Sequence, residues 1–270
     1  PKTSLESRPA KTQITVRHLL THTAGLGYAG VGRNKVNDQL LKLGVTPASL
    51  SRSQIPGLSP PTKTLAPDEF LRVAATVPLV AEPGTKWSYS MSLDVLGLVI
   101  QRASGARSFA AFMQERMFGP LGMTSSWFQV PAKEVGRLTS NYAMLGGKPM
   151  IIDPARTSIY LDPPAFAFGG AGLACSPADY DRFLMMIVNS GMAGTKRVMG
   201  AAAVQLGCTN LIPDGIDTKG TFVEGAGHGA GGRVGLGADA GTFGWAGAAG
   251  TVGFVNTRIG LRAGVYVQYM

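Results

Sequence analysis

Val16, Leu19 and Leu20 recur at helical spacing behind Thr15, a residue suited to accept from the amides of a first turn. The pattern predicts a short helix over Thr15–His22, ended by Gly25 and Gly27. From Gly30 to Pro67 apolar and polar positions are mixed, and Pro56, Pro60 and Pro61 crowd around Ser59, so the stretch reads as a long surface excursion. Pro67-Asp68-Glu69 opens a helix to about Ala75, with its acidic residues in the first turn. Glu82-Pro83-Gly84-Thr85 reads as a turn. It leads through Trp87-Ser88-Tyr89 into a strongly apolar helix from Ser92 to Ala103, closed by Gly105. Further helices are expected over Ser108–Met117 and from Ser176-Pro177, where Tyr180, Phe183, Leu184 and Ile187 share one side, and a shorter one over Val198–Leu206. Phe166–Ala174, apolar and broken by glycine, reads as a strand.

The last quarter changes period. Phe243–Ala246, Thr251–Asn256 and Gly264–Tyr269 read as strands joined by turns. Helices in the middle and an antiparallel sheet at the end argue for an α/β protein with segregated layers and against a doubly wound parallel sheet. No repeat or low-complexity linker divides the chain, so residues 1–270 are expected to form one domain. Within it, 30–165 are mainly helix and loop, and 166–270 hold the closing sheet with its flanking helices.

Composition narrows the chemistry. Of 270 residues, 45% are hydrophobic and 15% charged, which excludes a mainly disordered chain, and the apolar runs stop short of a membrane span. The net charge of +9 attracts anions, but the basic residues stand singly without interleaved aromatics, so no nucleic-acid partner is expected. Cys175 and Cys208 make neither a disulfide framework nor a CxxC metal pair, and no metal site or cofactor is expected. The compartment, cytoplasmic or periplasmic, stays open.

Gly227-His228-Gly229-Ala230-Gly231-Gly232 satisfies GxGxxG, yet glycines continue through Gly235 and Gly237 with no helical pattern, so a loop is the better reading. His18 and His22 stand one helical turn apart without the glutamate of HExxH, and packing or capping suits them better than metal. With His228 as the only other histidine and no GxSxG, a Ser-His-Asp triad is not supported. Taken alone, Tyr89 is a core tyrosine.

The surrounding words change that. His18-Leu19-Leu20-Thr21-His22-Thr23-Ala24-Gly25-Leu26 resembles a signature of the serine β-lactamase and penicillin-binding-protein superfamily, and Trp87-Ser88-Tyr89-Ser90 before Leu93-Asp94-Val95-Leu96-Gly97 resembles its second catalytic motif. Gly169-Gly170-Ala171-Gly172-Leu173 before Ser176-Pro177-Ala178-Asp179 resembles its glycine-rich lead into a helix, and Trp245-Ala246-Gly247-Ala248 resembles the third motif. The four fall in order over about Thr15 to Met270. Within the superfamily the chain is most similar to the class C-like family VIII carboxylesterases and their acyltransferase relatives. Class C β-lactamases carry Tyr-x-Asn and Lys-Thr-Gly at the second and third motifs. Here Met91 stands for that asparagine and Trp245-Ala246-Gly247 for the basic triplet, which removes an amide and a cation that would hold a lactam.

The resemblance implies a β-lactamase/transpeptidase-like fold, an antiparallel sheet flanked by helices plus a mainly helical subdomain. It also implies an acyl-enzyme formed by the serine of a Ser-x-x-Lys pair on a small-molecule ester. Tyr89 is implied as general base and Ala248 as a backbone N–H of the oxyanion hole, with Trp245, Gly247 and Met91 on the substrate. Asp94 is expected to hold the second-motif helix; Tyr142, Tyr160 and Phe166 border the pocket in relatives but read as core here. No lysine has a serine three positions before it. The nucleophile is therefore expected upstream of Pro1, on an unseen segment or a complementary N-terminal chain, and the end at Met270 is expected to precede a C-terminal helix. The alternatives are a non-catalytic binding relative, or β-lactamase or DD-peptidase action.

Overall fold

In the computed structural model, which describes residues 3–52 and 65–270, α1 (Val16–Leu20) starts at the expected cap. The Thr15 hydroxyl accepts from the His18 N–H, and His18 Nδ1 accepts from the Thr15 N–H, each at 3.3 Å. These reciprocal bonds satisfy donors that a helix start leaves open. Pro56, Ser59, Pro60 and Pro61 lie outside the described residues. The rest of that expected excursion is not all loop. It contains α2 (Lys35–Lys42), capped by Asn34 accepting from Asn37 N–H at 2.9 Å, with Val36 and Leu40 both buried. Apolar residues four apart behind an asparagine are a helix signal, which the downstream prolines obscure.

Helix α3 (Pro67–Ala74) has proline in its first turn, and α4 (Ser92–Ser104) ends at Gly105 in the left-handed region, φ 68°. Only glycine takes that conformation at no steric cost. Helix α5 (Phe109–Met113) continues through a π turn over Gln114–Phe118 into α6 (Gly119–Leu121). β1 (Ser126–Trp127) pairs antiparallel with β4 (Ala174–Cys175), and β2 (Asn141–Leu145) and β3 (Lys148–Asp153) form a hairpin between them. Tyr142 stands exposed on that hairpin rather than in the core, whereas Phe166 is buried against Phe70 and Phe168.

The strand expected over Phe166–Ala174 is almost absent: only Ala174 enters β4. Its apolar residues serve a different purpose. Phe166 packs on Phe70 of α3, and Gly169 comes so close to α4 that a Cβ would strike the Leu93 carbonyl. The segment is fastened to helices instead of to a strand.

Helix α7 (Pro177–Val188) is capped by Ser176, and β5 (Met192–Ala193), β6 (Lys196–Arg197) and α8 (Ala201–Gly207) follow. The glycine-rich run read as a loop folds into β7 (Gly227–His228) and β8 (Arg233–Val234), a short hairpin followed by a single 3-10 turn over Gly237–Asp239 and no α-helix. β9 (Thr242–Gly247), β10 (Thr251–Asn256) and β11 (Leu261–Tyr266) complete an antiparallel sheet of order β11-β10-β9-β8-β7. β11 begins three residues before the expected Gly264, because Asn256 pairs with Leu261 across the turn. Helix α7 lies along one face: its Tyr180 fills the space over Gly253, and its Asp181 accepts two bonds from Arg262 at 2.6 and 3.2 Å. No helix among the described residues is long and apolar enough to cross a membrane.

Candidate active site

The approach to α4 places Tyr89. Ser88 N–H donates to the His22 carbonyl at 2.9 Å, and Met91 N–H donates to the Gly27 carbonyl at 3.1 Å, so the second motif lies along the turn that leaves α1. His22 sits in that turn at φ 55°. Its Nδ1 accepts from Ser90 N–H at 3.3 Å and lies 3.1 Å from the Ser90 hydroxyl, which leaves the ring proton on Nε2. Its ring lies 4.7 Å from that of Tyr89. The first motif thus presents a neutral imidazole to the second.

Tyr89 is the centre of a ring stack. Trp87 lies near-parallel to it at 6.3 Å and Trp245 at 5.8 Å, while Phe222 meets it edge-on at 5.5 Å. His228 closes the group, 5.4 Å from both His22 and Trp245. Such offset and edge contacts match the positive rims and negative faces of the rings. Trp245 arrives from β9, where its neighbours pair with β10.

Burial governs the charges here. It pushes the Tyr89 phenol above the usual tyrosine value, as the Asp94 carboxyl does more weakly, while a hydrogen bond from the Trp245 indole opposes the rise. No cation among the described residues acts on Tyr89. Burial and then the neighbouring imidazole lower His22 to about 3, and burial lowers His228 to about 4. Both are uncharged near neutrality. Asp94, sealed under α4, is raised by burial to about 7, against the pull of the Gly170 amide and the Tyr28 hydroxyl. Its Oδ1 accepts from Gly170 N–H at 2.8 Å, which ties α4 to the segment following Phe168.

A cavity of about 720 Å³ opens beside the stack. Tyr89, Trp245, Gly247 and Ala248 all line it, so the structure brings four of the sequence-predicted residues together. Ala248 is exposed in the turn after β9, and its N–H makes no hydrogen bond to the described residues. A free amide at the mouth of an apolar cleft is what an oxyanion donor requires. Gly247 has a further reason to be glycine: a Cβ there would run into the Thr251 hydroxyl.

Met91 is the exception. It is buried in the helical core beside Leu98 and lines a separate cavity of about 700 Å³ between α3 and α4. The expectation that it touches substrate with Tyr89 is corrected by this placement: Met91 lies just before α4, where the chain turns its side chain inward. Phe222, His22 and His228 join the site without having been expected there. His22 carried a signal in the first motif; Phe222, in an irregular loop, carried none.

Residues 5–270 match the sequence model of the Beta-lactamase family. The chain is 30% identical over 208 residues to Protein Rv1367c of Mycobacterium tuberculosis, covering 77% of this chain and 47% of that protein. It is 39% identical over 116 residues to esterase EstB of Burkholderia gladioli, covering 43% of this chain and 26% of EstB. Among solved structures, EstCE1, a hydrolase with promiscuous acyltransferase activity, superimposes with a TM-score of 0.77 at 24% identity, over the whole of this chain and 70% of that one. The likeness confirms the β-lactamase/transpeptidase-like fold. The chain spans about half the length, or less, of these curated relatives.

Proposed function

The chain belongs to the beta-lactamase family, and on that premise we propose that it is the part of a serine carboxylesterase or acyltransferase that carries the base and the oxyanion donor. The observation that carries this reading is Tyr89 sharing one apolar cavity with the unbonded N–H of Ala248. The likeness to esterase EstB supports an ester as substrate.

In the proposed reaction Tyr89 acts as its phenolate: the attacking serine hydroxyl forms a bond to the ester carbonyl carbon and gives its proton to that phenolate oxygen, which becomes the neutral phenol. The carbonyl oxygen becomes an oxyanion that accepts from Ala248 N–H and from the serine's own amide. The bond to the alcohol oxygen then breaks, and Tyr89 returns the proton to that leaving group. Water, or a second alcohol, reverses the sequence and frees the acyl-enzyme. Trp245 walls the acyl group, and Gly247 lets it lie against the strand end.

Tyr89 needs help to act as a base. The influences upon it among the described residues are burial, Trp245 and Asp94, and burial dominates by raising its pKa. A phenol of ordinary pKa about 10 becomes a useful base when a cation stabilises its anion. The lysine of a Ser-x-x-Lys pair would be that cation, and none of the lysines in these 270 residues belongs to such a pair. The nucleophile and its lysine are therefore assigned to polypeptide outside this chain. The lack of a cation at the third motif, where Trp245 stands, favours neutral esters over lactams bearing a carboxylate.

The test is hydrolysis of p-nitrophenyl butyrate by the full-length protein. Tyr89→Phe is expected to lower kcat by ~10²–10⁴-fold, the usual range for a lost acid–base group. Turnover that survives Tyr89→Phe unchanged would overturn the assignment, and hydrolysis of nitrocefin as fast as the ester would move the reading to a β-lactamase.

A further inference from the structure

Phe222 is 63% exposed, although its ring makes edge contacts with Tyr89 and Trp87. A large apolar ring held largely in water is not there to fill the core. Nor is it placed by chance. Its turn is braced on both sides: Thr221 N–H and its hydroxyl both donate to the Thr218 carbonyl, at 3.1 and 2.6 Å, and Val223 N–H donates to the Thr221 hydroxyl at 3.3 Å. Gly220 N–H donates to the Glu224 carboxylate at 2.9 Å, and Arg233 of β8 donates to the Glu224 carbonyl at 3.3 Å. Val223, next in sequence, is fully buried and anchors the turn. With Val223 driven inward, Phe222 is presented outward, over Tyr89 and into the cavity that Trp245 and Leu236 also line.

We propose that Phe222 is a specificity-determining residue, one jaw of an apolar slot whose other jaw is Trp245, and that the slot selects esters carrying an aryl or branched-alkyl group. The inference rests on the ester reading of the same site and deepens it. Tyr89 contacts both jaws, near-parallel to Trp245 at 18° and near-perpendicular to Phe222 at 85°. A flat or branched group in the cavity beside the phenol can meet both the Trp245 and the Phe222 rings, which line it together. A methyl group would leave both faces largely wet. Among the described residues no Lys or Arg stands at the stack itself, and Arg233, on the cavity wall, is engaged with the turn that carries Phe222.

The experiment uses the full-length protein and two ester series, one varying the acyl group from acetyl to benzoyl at fixed leaving group, the other varying the alcohol at fixed acyl group. An aromatic contact of this kind is worth up to roughly tenfold in kcat/KM. Phe222→Ala is expected to cost the aryl members of one series about that factor while the methyl members change less than about twofold, and Phe222→Leu is expected to fall between. Equal losses throughout both series, or none, would overturn the proposal, since a purely structural role would act on all substrates alike. Should the wild type cleave no ester, the ester reading fails first, and calorimetric binding of 4-phenylbutan-1-ol against butan-1-ol decides the slot separately. Preference for the aryl alcohol that disappears in Phe222→Ala supports the slot; no preference refutes it.

Discussion

Of the buried carboxylates among the described residues, Asp179 and Asp94 have opposite surroundings. Asp179, at the start of α7, accepts from Ser125 N–H at 2.6 Å, from the Ser126 hydroxyl at 2.9 Å and from Arg182 at 2.6 Å. Asp94, in the first turn of α4, has the Gly170 amide on Oδ1 and the Tyr28 hydroxyl acting on its carboxyl, but no cation, and its Oδ2 is without a hydrogen-bond partner among the described residues. The other buried side-chain atoms in that condition are Trp87 Nε1 and His228 Nε2, both in the ring stack around Tyr89. Unsatisfied polarity among the described residues is thus gathered in and behind the candidate site. A folded chain tolerates that cost where chemistry benefits, and satisfies its carboxylates where they serve only to hold elements together.

The sharpest test of the contrast exchanges the two phenotypes. Tyr89→Phe should abolish nearly all turnover of the full-length protein by the factor given above, yet leave the thermal midpoint within a few degrees of wild type. Asp179→Ala should do the reverse. It strands a backbone amide and a hydroxyl below the surface and unpairs Arg182, at a cost of about 2–4 kcal/mol measured by urea unfolding. A mild Asp179→Ala would show that its bonds are replaceable, and the contrast would fail.

The next effect is a pH dependence of stability. His22 and His228 have folded pKa values of about 3 and 4 against an ordinary 6.5, so the unfolded chain binds up to two more protons than the folded one as the pH falls below 6.5. That costs stability on acidification. Asp94 acts oppositely: its pKa of about 7 against 3.8 means that the folded state holds one extra proton over that window. Two protons against one leave a net loss, about 1.4 kcal/mol per proton per pH unit at full effect, between pH 6.5 and 4. Denaturant unfolding across this range should show the decline, and His228→Phe should flatten it. Constant stability there would mean that the imidazoles are not held neutral.

The smallest effect concerns the His228 imidazole, whose Nδ1 bonds the Gly229 carbonyl at 3.1 Å while Nε2 has no partner among the described residues. Replacing it by an apolar ring removes the desolvation cost of Nε2 but also the Nδ1 bond, so His228→Phe should change stability by no more than about 1 kcal/mol near neutral pH. Marked destabilisation would reveal a partner for Nε2.

How much of this was legible in the residues follows the range of the forces involved. Helix α1 was readable because a capping box is local: Thr15 and His18 satisfy each other within one turn. The same holds for α4 and its Gly105 stop, for β9 and β10, and for the antiparallel order that short turns impose. Tyr89, Trp245, Gly247 and Ala248 were named through the motifs around them, since their types alone suggest only packing. Helix α2 was obscured by prolines, and Phe166–Leu173 was misjudged because an apolar, glycine-broken run fits a strand or a close approach to a helix equally well.

Tertiary structure alone decided the rest. It sent Met91 into the helical core while Tyr89, two positions earlier, faced the cleft, because the chain turns into α4 at Met91. It carried Phe222 across to Tyr89, more than a hundred positions away, through a buried Val223 and a braced turn that no local pattern announces. It also decided which buried groups are left unpaired, since hydrogen bonds between distant segments depend on where chains meet. Periodicity and capping act over a few residues and are written in the sequence; the environment that shifts a pKa or frames a cavity is a sum over the whole packed molecule.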